Sequence, residues 1–219
     1  MTEKSGSLGG PLFFVLTETS KIRKREMRRM QMDEQRAVRA LRDFLEAMDI
    51  DLTAENMERT PERVTRLYQK LFAGRGKDTA SLWGETFAAE TSGIAAVRDI
   101  PFYSMCEHHL VPFLGRVGIA YVPKDGRVAG FSKFAAVVDR LAHRPQLQER
   151  LTAQIADAVY DDLEAAGVLV CVEARQLCMI LHGDLPQETS TVTVESRGCL
   201  QHGLPAYTEA WMLLMKENT

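Results

Sequence analysis

The feature that most limits how this chain can fold is a change in the period of its apolar residues. Between Asp33 and Leu71 they recur at helical spacing: Val38, Leu41, Leu45 and Met48, then Val64, Leu67, Tyr68 and Leu71. Asp33 is a natural N-cap for the first run, and Thr60 followed by Pro61 opens the second. From Ile100 the period drops to two. Ile100 to Tyr103 and Val117, Ile119, Tyr121 read as strands, and Lys124-Asp125-Gly126 is a turn. Ser132 is expected to cap a short helix through Leu141, and a longer helix is expected from Gln146 to a stop at Gly167. Val168 to Glu173, Thr189 to Val194 and Tyr207 to Leu214 are strand candidates. The compact part therefore reads ββααββ, an α+β fold led by helices.

Three regions follow: 1-30, a mobile basic extension; 31-95, helical; and 96-219, the ββααββ domain. The first joins a Gly/Ser-rich start to the basic run Lys21, Arg23, Lys24, Arg25, Arg28, Arg29. No aromatic residues are interleaved with that run, so it reads as a solvated tail and nucleic acid is not an expected partner. A net charge of −3 also argues against binding driven by bulk positive charge. The longest early apolar run, Pro11 to Leu16, is far short of the ~20 residues that span a bilayer, so no membrane association and a cytoplasmic setting are expected. Four cysteines in 219 residues are too sparse for a disulfide framework. In a reducing compartment they are packing residues, ligands or nucleophiles.

The densest chemistry is Cys106-Glu107-His108-His109, just after a strand. Cys106 and His109 are three apart, which on a turn brings sulfur and imidazole toward one tetrahedral ion, while His108 points elsewhere. A structural zinc site needs four protein ligands, usually as two close pairs. No second pair stands out, and the nearest further donor is Cys178, expected on a strand running from Val170 to Met179. Three ligands and a water make the catalytic pattern. The competing readings are buried thiols with ordinary histidines, and a Cys nucleophile with a His base, for which no third orienting group is evident.

Four blocks of sequence together resemble GTP cyclohydrolase I: Ser104-Met-Cys-Glu-His-His-Leu-Val-Pro-Phe113, Gly130-Phe-Ser-Lys133, Gln146-Leu-Gln-Glu-Arg-Leu-Thr-Ala-Gln-Ile155 and, less closely, Glu173-Ala-Arg-Gln-Leu-Cys-Met179. The resemblance runs from about Asp33 to the C-terminus. It implies the tunnelling fold, a ββααββ unit whose copies close barrels and stack as pentameric rings into a homodecamer with active sites between subunits. It implies a Zn2+ cofactor on Cys106, His109 and Cys178, with His108 as an acid/base group beside Glu107. Glu149, assisted by Gln148, would grip the guanine edge, since a carboxylate accepts from both the ring N–H and the exocyclic amine. Ser132, Lys133, Arg63 and Arg66 would face the phosphates. The implied reaction is attack of zinc-activated hydroxide on C8 of a purine nucleotide, ring opening, formate release and reclosure as a dihydropterin.

Three positions depart from the family pattern. Gln176 stands where a histidine is usual, His182 where an arginine is usual, and Ala136 where another arginine is usual. Glutamine cannot give and retrieve a proton near neutrality. Two lost guanidiniums cost ~3 to 6 kcal/mol of charge-assisted bonding, unless Arg175 restores one charge. The expectation is a GTP cyclohydrolase I-like enzyme. The alternatives are a paralogue that takes a purine analogue or stops at the ring-opened pyrimidine, and a non-catalytic ring-forming binding protein.

Overall fold

The computed structural model describes residues 33–215 apart from Glu55, Thr91, Ser92 and Leu185. The expected basic extension at 1-30 lies outside the described residues. Two compact units divide the chain, one ending at Gln69 and one beginning at Lys70.

In the first unit, α1 (Glu34–Ala47) starts on Asp33, whose carboxylate accepts from the Arg36 backbone N–H at 2.9 Å. Helix α2 (Thr60–Leu71) carries Pro61 in its first turn, as the sequence indicates.

The second unit opens with short α3 (Ala80–Trp83) and β1 (Phe87–Ala88). Then come β2 (Ala95–Cys106), β3 (Pro112–Val122), β4 (Arg127–Val128), α4 (Phe131–Ala142), β5 (Pro145–Gln146) and α5 (Gln148–Asp157), which ends in a wide π-type turn, Ala158–Asp162. Last are β6 (Gly167–Gln176), α6 (Leu177–His182), β7 (Thr191–Gly198) and α7 (Pro205–Met215). The long elements give the expected ββααββ order. Five strands form one sheet in the order β5-β2-β3-β6-β7, antiparallel except for β2 with β5.

Helices α4 and α5 bury one face of that sheet. Phe134, Val137, Val138, Leu151 and Ile155 pack with Phe113, Val117, Ile119, Val170 and Val172, all essentially inaccessible to water. At Gly115 a Cβ would land on the Glu173 carbonyl oxygen, so only glycine lets β3 and β6 approach this closely.

Four expectations are corrected. Tyr207 to Leu214 is helix, not strand. Ala206, Tyr207, Ala210, Trp211 and Leu214 do pack on the second face of the sheet at helical spacing, but Met212 and Leu213 are apolar and exposed, and they mask the period. Cys178 lies in α6 rather than on the preceding strand. Helix α4 starts on Gly130 rather than Ser132, and α5 begins at Gln148 because Pro145 and Gln146 pair with β2 first. Among the described residues no helix is long and apolar enough to cross a membrane.

Candidate metal centre

Strand β2 ends at Cys106 and β3 returns at Pro112, with Met105 facing Pro112 across the ladder. The connecting turn is fixed by two backbone bonds, from Cys106 N–H to the Val111 carbonyl (3.0 Å) and from Leu110 N–H to the Cys106 carbonyl (2.9 Å). Leu110 adopts φ +51°, a left-handed conformation that costs a leucine on the order of 1 kcal/mol and marks the turn as a place where its backbone bonds override local preference. This turn sets Cys106 Sγ 3.7 Å from His109 Nδ1. Two donors on one tetrahedral zinc, at ~2.3 Å for sulfur and ~2.05 Å for nitrogen, stand about 3.6 Å apart.

The third donor arrives by register. Strand β6 lies along β3 with Gln176 opposite Phe113, so the chain leaves β6 beside the turn and coils into α6, carrying Cys178. The ligand atoms of Cys106, His109 and Cys178 then all lie within 4.8 Å of one another. Both sulfurs are buried and His109 is exposed. Burial, reinforced by the neighbouring Cys106 sulfur, pushes the Cys178 thiol above its usual pKa. A divalent cation among the three reverses that, because coordination deprotonates a thiol outright. Two sulfurs and one imidazole form the soft donor set that zinc takes, so the residues fit the ion.

A second set of contacts joins this turn to α5. Cys106 pairs with Gln146 on β5, and Glu107 N–H donates to the Gln146 carbonyl at 3.0 Å. Arg150, in the first turn of α5, holds the Glu107 carboxylate with both terminal guanidinium nitrogens, at 2.5 and 3.0 Å. Those bonds hold the Glu107 pKa below the usual carboxylate range. Glu149 is exposed in the first turn of the same helix.

Gln148 is buried, and its carboxamide is fully engaged. Its nitrogen donates to the Val172 and Thr191 carbonyls, both at 3.0 Å, and its oxygen accepts from Gln176 Nε2 (2.7 Å) and Thr191 Oγ1 (2.6 Å). Gln148 is thus a brace that ties α5 to β6 and β7 and fixes the Gln176 amide. Arg150 and Thr191 went unremarked in the sequence. Arg150 stands inside one of the four blocks, whereas Thr191 carries no local signal.

The remaining candidates are placed as follows. Exposed Ser132 and half-buried Lys133 are in the first turn of α4, where the Lys133 N–H donates to the Gly130 carbonyl at 2.9 Å. Half-buried Ala136 lies one turn further along α4. Arg63 Nη1 donates to the Asn56 carbonyl (3.1 Å) and Arg66 Nε to the Glu62 carbonyl (3.3 Å), both within the first unit. Arg175 faces the opposite side of β6 from Gln176 and donates from Nε and Nη2 to the Gln187 carbonyl, at 3.1 and 2.7 Å. His108 is exposed, its ring edge-on to His109 with centres 6.1 Å apart. His182, exposed at the end of α6, brings its ring to 5.1 Å from that of His109.

Residues 37–214 match the family model of GTP cyclohydrolase I. The chain is similar to GTP cyclohydrolase 1 of Desulforamulus reducens, 46% identical over 178 residues, which span 81% of this chain and 95% of the relative. It is 43% identical to GTP cyclohydrolase 1 of Carboxydothermus hydrogenoformans over 183 residues, 84% of this chain and 95% of the relative. With GTP cyclohydrolase 1 of Streptococcus pyogenes the identity is 44% over 193 residues, 88% and 99% of the two chains.

Proposed function

The chain belongs to the GTP cyclohydrolase I family, and on that premise we propose a zinc-dependent hydrolase that opens the imidazole ring of GTP, or of a closely related purine nucleotide, at C8. Hydrolysis at the cyclic amidine of GTP is the activity that membership carries. The observation supporting zinc is the convergence of Cys106, His109 and Cys178, two buried sulfurs and one exposed imidazole within 4.8 Å. When bound there, zinc supplies a Lewis acid and lowers the pKa of a coordinated water toward neutrality.

The chain's own residues do the rest. Glu149 accepts from the purine ring N–H and exocyclic amine, and Gln148, fully engaged inside the protein, holds the start of α5 in register for it. Ser132 and Lys133, in the first turn of α4, take phosphate oxygens through a hydroxyl and an ammonium, and the family pattern gives Arg63 and Arg66 the same role. His108 moves protons as water adds at C8, the C8–N bond breaks and formate leaves. Glu107, clamped by Arg150, orients the turn that carries both His108 and His109.

A second reading has its own observation behind it. Gln176 donates its amide N–H to Gln148 and a carboxamide does not titrate near neutrality, so it exchanges no proton. With His182 and Ala136 at two usual arginine positions, this favours a paralogue that stops at the ring-opened pyrimidine or takes a purine analogue. A non-catalytic ring protein would gain little from an open metal site.

Family members bind GTP and are generally oligomeric, and for this chain we propose the homodecamer. Among the described residues the outer edge of β7 pairs with no strand, which supports strand pairing with a neighbour. Region 96-219 then acts as the catalytic domain and 31-95 as its helical lead-in. All four cysteines are free thiols, which suits the reducing cytoplasm.

The test incubates zinc-loaded protein with GTP, GDP, GMP and ATP and reads products by mass spectrometry. A dihydroneopterin triphosphate from GTP supports the full reaction. A formamidopyrimidine nucleotide or its deformylated amine supports early arrest, and Gln176→His should then gain pterin. Unchanged nucleotides throughout would overturn both.

A further inference from the structure

Cys178 and His182 form a close donor pair that only the fold reveals. On an extended strand residues four apart are separated by about 13 Å. Here the chain coils from Leu177 to His182, so the two lie one turn apart on a single helix face, roughly 6 Å between Cβ atoms. That face also carries the metal ligand Cys178, and it brings the His182 ring to 5.1 Å from the His109 ring, with the planes inclined at 58°. Two imidazoles bound to one tetrahedral zinc through nitrogens at ~2.05 Å hold their ring centres about 5 Å apart. The pattern becomes Cys106-x-x-His109 with Cys178-x-x-x-His182, two close pairs of one sulfur and one imidazole each.

We propose that His182 is a fourth ligand of the metal held by Cys106, His109 and Cys178, and that it is the ligand displaced when nucleotide binds. The proposal rests on the zinc reading above. The four donors are held unequally. Cys106 and Cys178 are buried, and His109 is fixed by the bonded turn after β2. His182 is exposed on the last residue of its helix. Gly183 follows at φ +82°, and a Cβ there would meet nothing within 4 Å, so His182 adjoins open space. Its ring nitrogens are not part of the trio whose donors share a 4.8 Å neighbourhood, so ligation requires the exposed ring to turn toward the metal. Four protein donors shield a metal, while three leave a corner for chemistry. A detachable imidazole gives both states: it covers the paired thiolates in the resting protein and yields its corner when a base is bound.

The experiment is X-ray absorption at the zinc edge on the full-length zinc-loaded protein, wild type against His182→Ala and His182→Gln, with and without GTP. Wild type without nucleotide should show two sulfurs and two imidazoles. Both variants should show two sulfurs and one imidazole, with zinc affinity at least ~10-fold weaker by chelator competition. GTP should bring the wild type to one imidazole. One imidazole in the resting wild type, or two persisting in the variants, would overturn the ligand assignment while leaving the zinc reading intact. Two imidazoles unchanged by GTP would overturn its displacement. A wild type that retains no zinc would overturn both this proposal and the reading beneath it.

Discussion

Replacing Gln148 by methionine keeps the volume and removes the hydrogen bonding, so it separates a brace from a substrate contact. Four bonds are lost, to the Val172 and Thr191 carbonyls and from Gln176 and Thr191. At a net ~1 kcal/mol each the upper bound is about 4 kcal/mol. Two of the stranded groups have recourse. Thr191 Oγ1 can turn its single proton to the Ala174 carbonyl at 3.1 Å, and Gln176 is only half-buried, so water reaches its amide. The expected loss is therefore about 2 to 3 kcal/mol, or roughly 4 to 12 °C in melting temperature for a domain of this size. Thermal and urea unfolding of the zinc-loaded protein read it directly, alongside KM for GTP. A variant with unchanged melting behaviour but badly weakened GTP binding would refute the bracing role and return Gln148 to the purine.

The other predictions concern the outer sheet face, the Glu107 clamp and the metal. Burial, with the nearby Glu173 carboxylate, pushes the Cys171 thiol up to about 11. The raised pKa means the folded state holds this proton longer than the unfolded chain does. The resulting stability, roughly 2 to 3 kcal/mol, is fully present below about pH 9 and is lost as pH rises through about 11. Cys171→Ala should flatten that alkaline decline in urea midpoints, and an unchanged slope would contradict it. Arg150→Ala should release the turn bearing Glu107 and His109, lowering zinc affinity about 10-fold, with Arg150→Lys recovering part of it. Equal zinc affinity in all three proteins would show that the clamp does not act on the metal turn. Cys178→Ser should lose stoichiometric zinc by elemental analysis while still folding; full zinc retention would remove Cys178 from the ligand set.

What the sequence made legible follows from how local each signal is. Helix α1 could be read because Asp33 and the stripe Val38, Leu41, Leu45, Met48 all act within a few residues. The trio Cys106, His109 and Cys178 could be named from thiol and imidazole chemistry within short blocks, before any register was known. Helix α7 could not be read, because apolar residues on its outer side erase the contrast that gives a helix its period. Cys178 with His182 escaped for a related reason: six residues are too few to show a period, and the pair is close only if the segment coils. The engagement of Gln148 was invisible in principle, since its partners lie 24 to 43 residues away and meet it through the β6 and β7 register.

If Cys106, His109 and Cys178 hold the zinc that opens the GTP ring, formate release must depend on that metal. The most direct measurement is formate released per GTP consumed, by zinc-loaded protein and by the same protein stripped with a chelator and then restored with zinc. Equimolar formate that vanishes on stripping and returns with zinc is the predicted result. Formate release that is indifferent to zinc, or GTP left intact by protein carrying one zinc per chain, would contradict it.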